Sequence, residues 1–205
     1  MPNRSDRPRN EQRKRVPNPH RELLESLFVE LFQSERSAEI HPPVEAVPLG
    51  DSAPARALRA VSQHAVSTRE ELMEHARRRD LLHSRSGRRI GDAFSWSRRL
   101  FSDPNMEVER SYRATLLGMR HGLDLVKLLR AAAESADDTE LAAWCTEFLA
   151  VREPLVEEVC SQLAWFGWHP ERAIQHRGRI RGFFDRLFGR GERAATPSSP
   201  VIGQV

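Results

Sequence analysis

Residues 106–134 read MEVERSYRATLLGMRHGLDLVKLLRAAAE, the most thoroughly apolar long run in the chain. At 100° per residue, Tyr112, Leu116, Met119, Leu123 and Val126 share one stripe of a helix, and Leu117, Leu125, Leu128 and Leu129 form a second stripe on the far side. A helix apolar on two sides belongs at the centre of a helical assembly. The two-residue alternation of a strand is not sustained anywhere in the chain. The expected fold class is therefore all-α.

Three more long helices follow from the same periodicity. Leu23, Leu24, Leu27, Phe28, Leu31 and Phe32 predict a helix from about Pro19 to Ala38, ended by His41-Pro42-Pro43, with HPPVEAVPLGDSAP as a loop. A second helix has Ser52 as N-cap and Pro54 in its first turn, with Leu58, Val61, Ala65, Leu72 and Ala76 as a narrow apolar stripe running toward Asp80. A shorter amphipathic piece with Ile90, Phe94, Trp96, Leu100 and Phe101 reads as a crossover helix. The fourth long helix starts at Asp137-Asp138-Thr139-Glu140 and runs to about Trp165. It buries Leu141, Trp144, Phe148, Val151, Leu155, Val159 and Leu163, and Pro154 should kink or split it. Four long helices with one long connection between the second and third are the layout of a bundle with a crossover. The expected organisation is a disordered basic arm (1–18), a bundle (19–170), a basic amphipathic segment (171–193) and a disordered tail (194–205).

Composition narrows the function classes. The 205 residues carry a net charge of only +3, with acids interleaved among the arginines, so no specific nucleic-acid partner is expected. Lys14 and Lys127 are the only lysines, an arginine bias that resembles GC-rich bacterial codon usage. Cys145 and Cys160 would stand roughly 22 Å apart along one helix, too far to bridge, and no CxxC spacing exists. Two free thiols and the absence of an apolar run of ~20 residues point to the cytoplasm. Neither a glycine-rich phosphate loop nor a Gly-x-Ser-x-Gly elbow is present, and nothing positively indicates an enzyme.

The residues worth weighing as a site are the polar ones that project into apolar arcs. Glu147, Glu153, Glu157 and Glu158 fall outside them and read as a solvated face. Glu35, Arg69, His121, Asp124 and Arg152 fall within them or at their edge. A lone buried charge is costly, so these groups must find one another or reach water.

An acid late in the first helix, His64 with Thr68 and Glu71 in the second, and His121-Gly122-Leu123-Asp124 in the third resemble the ferritin-like superfamily, in particular the bacterial YciF-type stress proteins. The resemblance spans about residues 20–166. It implies a crossover four-helix bundle and a di-iron or di-manganese pair held by a Glu from each of two helices and a Glu-x-x-His from each of the others. No Glu-x-x-His lies on a long helix here, and the fourth helix offers Arg152 where the family would offer a carboxylate. A guanidinium cannot ligate a metal and repels a dication. The expected state is a degenerate site with no metal cofactor, in which Glu35 and Asp124 pair with Arg69 and Arg152. The alternative is an atypical iron or manganese site built from Glu35, His64, Glu71, His121 and Asp124.

The tails supply a third candidate. In RIRGFFDRLF (179–188), Ile180, Phe183, Phe184, Leu187 and Phe188 keep a helical period among arginines, which suits an anionic membrane, a partner groove or the bundle itself. The end, Pro200 to Val205, is similar in kind to the terminal peptides of ferritin-like proteins packaged in bacterial nanocompartments. Three functions remain in view: a non-catalytic interaction or scaffold protein, self-associating and contacting a protein partner; a metal-binding oxidoreductase or stress protein; and a peripheral membrane or cargo protein.

Overall fold

Asn18 accepts the amide of Arg21 at 3.2 Å and Pro19 takes the first helical position, so the chain enters helix α1 (Pro19–Ala46) at a capped start. The computed structural model describes residues 18–81 and 106–176, where every regular element is a helix. After α1 come a 3-10 turn (Val47–Leu49), α2 (Ala53–Arg78), α3 (Val108–Ser135), α4 (Thr139–Ser161) and two short helices, α5 (Leu163–Trp168) and α6 (Pro170–Ala173). The expected crossover helix near residues 90–101, the arm before Asn18 and the segment after His176 lie outside the described residues.

The expected end of the first helix is corrected, because α1 continues through Pro42 and Pro43 to Ala46. Each proline removes one helical hydrogen bond and frees the carbonyl four residues back. A neighbouring helix answers the loss at Glu39, where the Ser62 hydroxyl of α2 donates to the carbonyl at 2.8 Å. Ala38, freed by Pro42, lines with Thr115 a cavity of about 20 Å³ between α1 and α3, room for one water. Pro42, Val44, Glu45 and Ala46 are buried, so tertiary packing holds a turn that propensity disfavours. The reversal into α2 falls at Gly50, whose φ of 62° suits a residue without a Cβ.

Pro154 also fails to split its helix. It is exposed, as is Ala150, whose carbonyl it releases, and both line an open groove between α3 and α4 where water can serve. The break comes instead at Gln162, between α4 and α5. At the other end Asp138 caps α4 by accepting the Leu141 amide at 3.1 Å.

Each long helix packs against two others: α1 against α2 and α3, and α4 against α2 and α3. The paired residues show that all four contacts are antiparallel. Arg21 reaches Asp80 while Ser62 reaches Glu39. Arg78 reaches Glu140 while Arg152 reaches His64. Tyr112 reaches Val159 while Lys127 reaches Glu153. Between α1 and α3, Ser34 approaches Gly122, and His41 and Pro42 meet Thr115 and Gly118. Leu81 and Met106 therefore lie at opposite ends of the assembly, and the chain passes from one end to the other between α2 and α3. The diagonal pairs are α1 with α4 and α2 with α3.

The core between them includes Phe28, Leu31, Leu58, Val61, Leu72, Tyr112, Val126, Leu129, Leu141 and Val159, each at most 2% exposed. Each such side chain contributes about 1.5–3 kcal/mol by leaving water. The reading of α3 as a central helix is corrected. It occupies a corner, so one arc faces α1 and α4 and the opposite face is open. Leu125 and Leu129 are buried, but Leu117 and Leu128 are 64% and 48% exposed. Val151 on α4 is likewise exposed, not buried. The buried arc of α3 is completed by small residues, Ser111, Thr115, Gly122, Ala132 and Ala133. Gly122 allows a close approach to α1, since a Cβ there would stand 2.7 Å from Ser34 Oγ.

Candidate functional site: a buried Glu–Arg–His centre

Glu35 lies in the middle of the buried face of α1, in line with Phe28, Leu31 and Ala38. Arg152 lies one turn after Phe148 on α4, and His64 one turn before Thr68 on α2. The four-helix arrangement brings these three segments together, with Glu35 and Arg152 meeting across the α1–α4 diagonal. Arg152 Nη1 and Nη2 donate to Glu35 Oε1 and Oε2 at 3.2 and 2.6 Å, a bidentate pair, and its Nε donates to His64 Nδ1 at 2.9 Å. The guanidinium carbon stands 4.9 Å from the centroid of the Phe148 ring, and the His64 ring meets Phe148 edge-on at 5.2 Å. Thr68 Oγ1 donates to the His64 carbonyl at 3.0 Å and lies 3.5 Å from Glu35 Oε2.

Burial sets the electrostatics. It pushes the Glu35 carboxyl above its ordinary range, while Arg152 and the Thr68 hydroxyl pull the other way. Burial and the adjacent Arg152 charge lower His64 to about 4, with Glu71 opposing. Because Nδ1 accepts from Arg152, the His64 proton is assigned to Nε2 and the ring is neutral at pH 7. An imidazole held neutral in the fold but basic when unfolded takes up its proton preferentially in the unfolded state between pH 6.5 and about 4. Its contribution is therefore complete above pH 6.5 and is lost as pH falls toward 4. His64 is partly exposed, so screening leaves about 1–2 kcal/mol of the full linkage. Urea unfolding at steps from pH 7.5 to 4.5 should show this decline, and His64→Asn should flatten it; an equal slope in the variant would count against the assignment.

The remaining candidates do not join this centre. Arg69 is exposed and reaches Glu39 at 3.4 Å, because an arginine's length carries its head out of the helix interface to water. His121 and Asp124 are exposed on the outer face of α3 between Leu117 and Leu128, which corrects their inward placement. Glu71 is exposed and accepts from Trp144 Nε1 at 3.0 Å. Of the five expected network members, Glu35 and Arg152 are brought together and Arg69, His121 and Asp124 are not. Glu147, Glu153, Glu157 and Glu158 are exposed as expected, and Cys145 and Cys160 are free thiols.

A second constellation escaped the sequence reading. Arg79 Nε and Nη2 donate to Asp138 Oδ2 and Oδ1 at 2.6 and 2.7 Å, and Arg79 Nη1 lies 3.2 Å from His75 Nδ1. The His75 ring in turn packs on Trp144 at 5.2 Å. Its elements are again arginine, carboxylate, histidine and aromatic ring, here joining the end of α2 to the start of α4. The Arg79 bonds hold Asp138 below the usual carboxylate range. The only sequence signal was the i, i+4 spacing of His75 and Arg79 beside a capping aspartate, which is too common to single out.

The donor set fits a metal poorly. Both Glu35 oxygens and His64 Nδ1 are turned toward one guanidinium, and Glu71, His121 and Asp124 point elsewhere. Among the described residues no three His, Cys, Asp or Glu side chains converge as a metal cluster would require. No family model matches this chain, and neither a curated protein nor a solved structure matches it significantly.

Proposed function

We propose that the chain is a non-catalytic, ferritin-like helical-bundle protein, an interaction or scaffold component in which a buried ion pair stands in place of a di-metal centre. The supporting architecture is four antiparallel helix contacts with an end-to-end connection between α2 and α3. The observation that carries the reading is the bidentate Arg152–Glu35 pair, reinforced by Arg152 Nε to His64. A guanidinium takes the two side chains best placed to bind a metal and adds a positive charge between them. The site therefore does the work of a crosslink: it joins three helices and leaves the outer surfaces for partners. Exposed Leu117 and Leu128 on α3 offer apolar contact area for self-association or for another protein. Elemental mass spectrometry of protein expressed in medium supplemented with iron and manganese should find far less than one metal per chain. One iron, manganese or zinc per chain, lost in Glu35→Ala, would overturn the proposal.

A further inference from the structure

Helix α3 keeps one face that none of the described helices covers. Ala114, Leu117, His121, Asp124, Leu128 and Ala131 follow one another at steps of three and four residues, which holds them within an arc of about 100° on its outer side. Leu117 and Leu128 are 64% and 48% exposed, His121, Asp124 and Ala131 are exposed beside them, and Ala114 is half-buried. Alternating steps of three and four are the repeat of a coiled-coil seam. Among the described residues, neither the His121 ring nor the Asp124 carboxylate has a hydrogen-bond or ion-pair partner.

This face is its own complement. The midpoint of the six residues falls between Gly122 and Leu123, so turning the helix end for end exchanges Ala114 with Ala131, Leu117 with Leu128 and His121 with Asp124. A second copy laid antiparallel therefore sets leucine on leucine in two layers and, between them, an imidazole N–H opposite a carboxylate twice. The flanking row agrees, since Arg113 comes beside the partner's Glu134 at each end. Lys127 also meets the partner's Arg120, but it arrives neutralised by Glu153 of α4 at 2.9 Å. A parallel arrangement has no such match, because it sets each Asp124 against the other, two acceptors without a donor.

We infer that α3 is the contact face of a twofold homodimer, in which two copies pack antiparallel through Leu117, His121, Asp124 and Leu128. The inference rests on the scaffold reading and names a second copy as its partner, yet the two fail separately. Metal bound at Glu35 would remove the scaffold reading without altering a measured dimer, and a monomer would leave the Glu35–Arg152 crosslink in place. The test is sedimentation equilibrium of the full chain from about 1 to 100 µM, the range in which a seam this short dissociates. Expected is a reversible monomer–dimer equilibrium. Leu117→Ser/Leu128→Ser, at exposed positions, should keep its helicity by circular dichroism and weaken the dimer about tenfold or more. His121→Asp sets carboxylate against carboxylate and should weaken it by about the same factor. His121→Asp/Asp124→His restores each pair in exchanged positions and should return the dimer to within about threefold of wild type. Four results would overturn the proposal: a wild-type chain that stays monomeric, whether alone or while capturing another protein through α3; a dimer unchanged by the leucine variant; a His121→Asp dimer as tight as wild type; or an exchange that restores nothing.

Discussion

Arg152→Met with Glu35 left in place is expected to lower the unfolding free energy by about 3–5 kcal/mol, because it strands a carboxylate that is 4% exposed. The pair itself contributes far less than this difference, since both ions were taken out of water to form it. Glu35→Leu/Arg152→Met should therefore recover most of the loss, with apolar side chains filling similar volume beside Phe148. Burial already raises the Glu35 carboxyl, and without the guanidinium it should rise further and take up a proton. The single variant should then be closer to wild type at pH 5 than at pH 8. Urea titrations of the three proteins at both pH values test this. A single variant within about 1 kcal/mol of wild type would show that the diagonal pair does not bear on stability.

The second large effect is expected at Tyr112, the largest side chain among the described residues with no exposed surface. Its ring packs on Phe166, and its hydroxyl donates to the Val159 carbonyl at 2.8 Å. Val159 lies in the last turn of α4, where carbonyls lack helical partners because the helix breaks at Gln162. One residue thus fills the core and closes a helix end. Tyr112→Ala should cost about 3–5 kcal/mol through the cavity it leaves. Tyr112→Phe isolates the capping bond and should cost about 1–2 kcal/mol. Thermal and urea unfolding of the pair separate the two contributions, and equal losses would mean that the hydroxyl alone carries the effect.

Helix existence was legible because Leu, Phe and Val recur with a 3.6-residue period over long runs, and both α2 and α3 begin and end within a few residues of their expected bounds. Errors arose where tertiary contacts replaced local rules. Pro42 and Pro43 read as a stop, yet Ser62 on another helix supplies the bond that one of them removes. His121 and Asp124 read as inward because Leu117 and Leu128 were counted as core. The true arc of α3 is finished by Ser111, Thr115 and Gly122, whose small size permits close packing but adds little to an apolar pattern. Glu35 and Arg152 were found because each sits at the centre of a strong apolar face. Their membership of one ion-pair network was expected, but not which acid would meet which arginine, nor the part of His64, since that depends on which helices lie diagonal, and periodicity contains no information about it.

The end-to-end passage between α2 and α3 also divides the molecule in time. The contacts of α1 with α2, and of α3 with α4, close over short connections, whereas Glu35 and Arg152 are separated by 117 residues. Loop-closure entropy makes such a contact expensive until the intervening chain is ordered. Two helical hairpins can thus assemble first and dock afterwards, and the diagonal pair acts as the latch of the final step. A latch that closes last governs how long the native state survives more than how quickly it is reached, so the deficit of Arg152→Met should fall mainly on the unfolding limb of its kinetics.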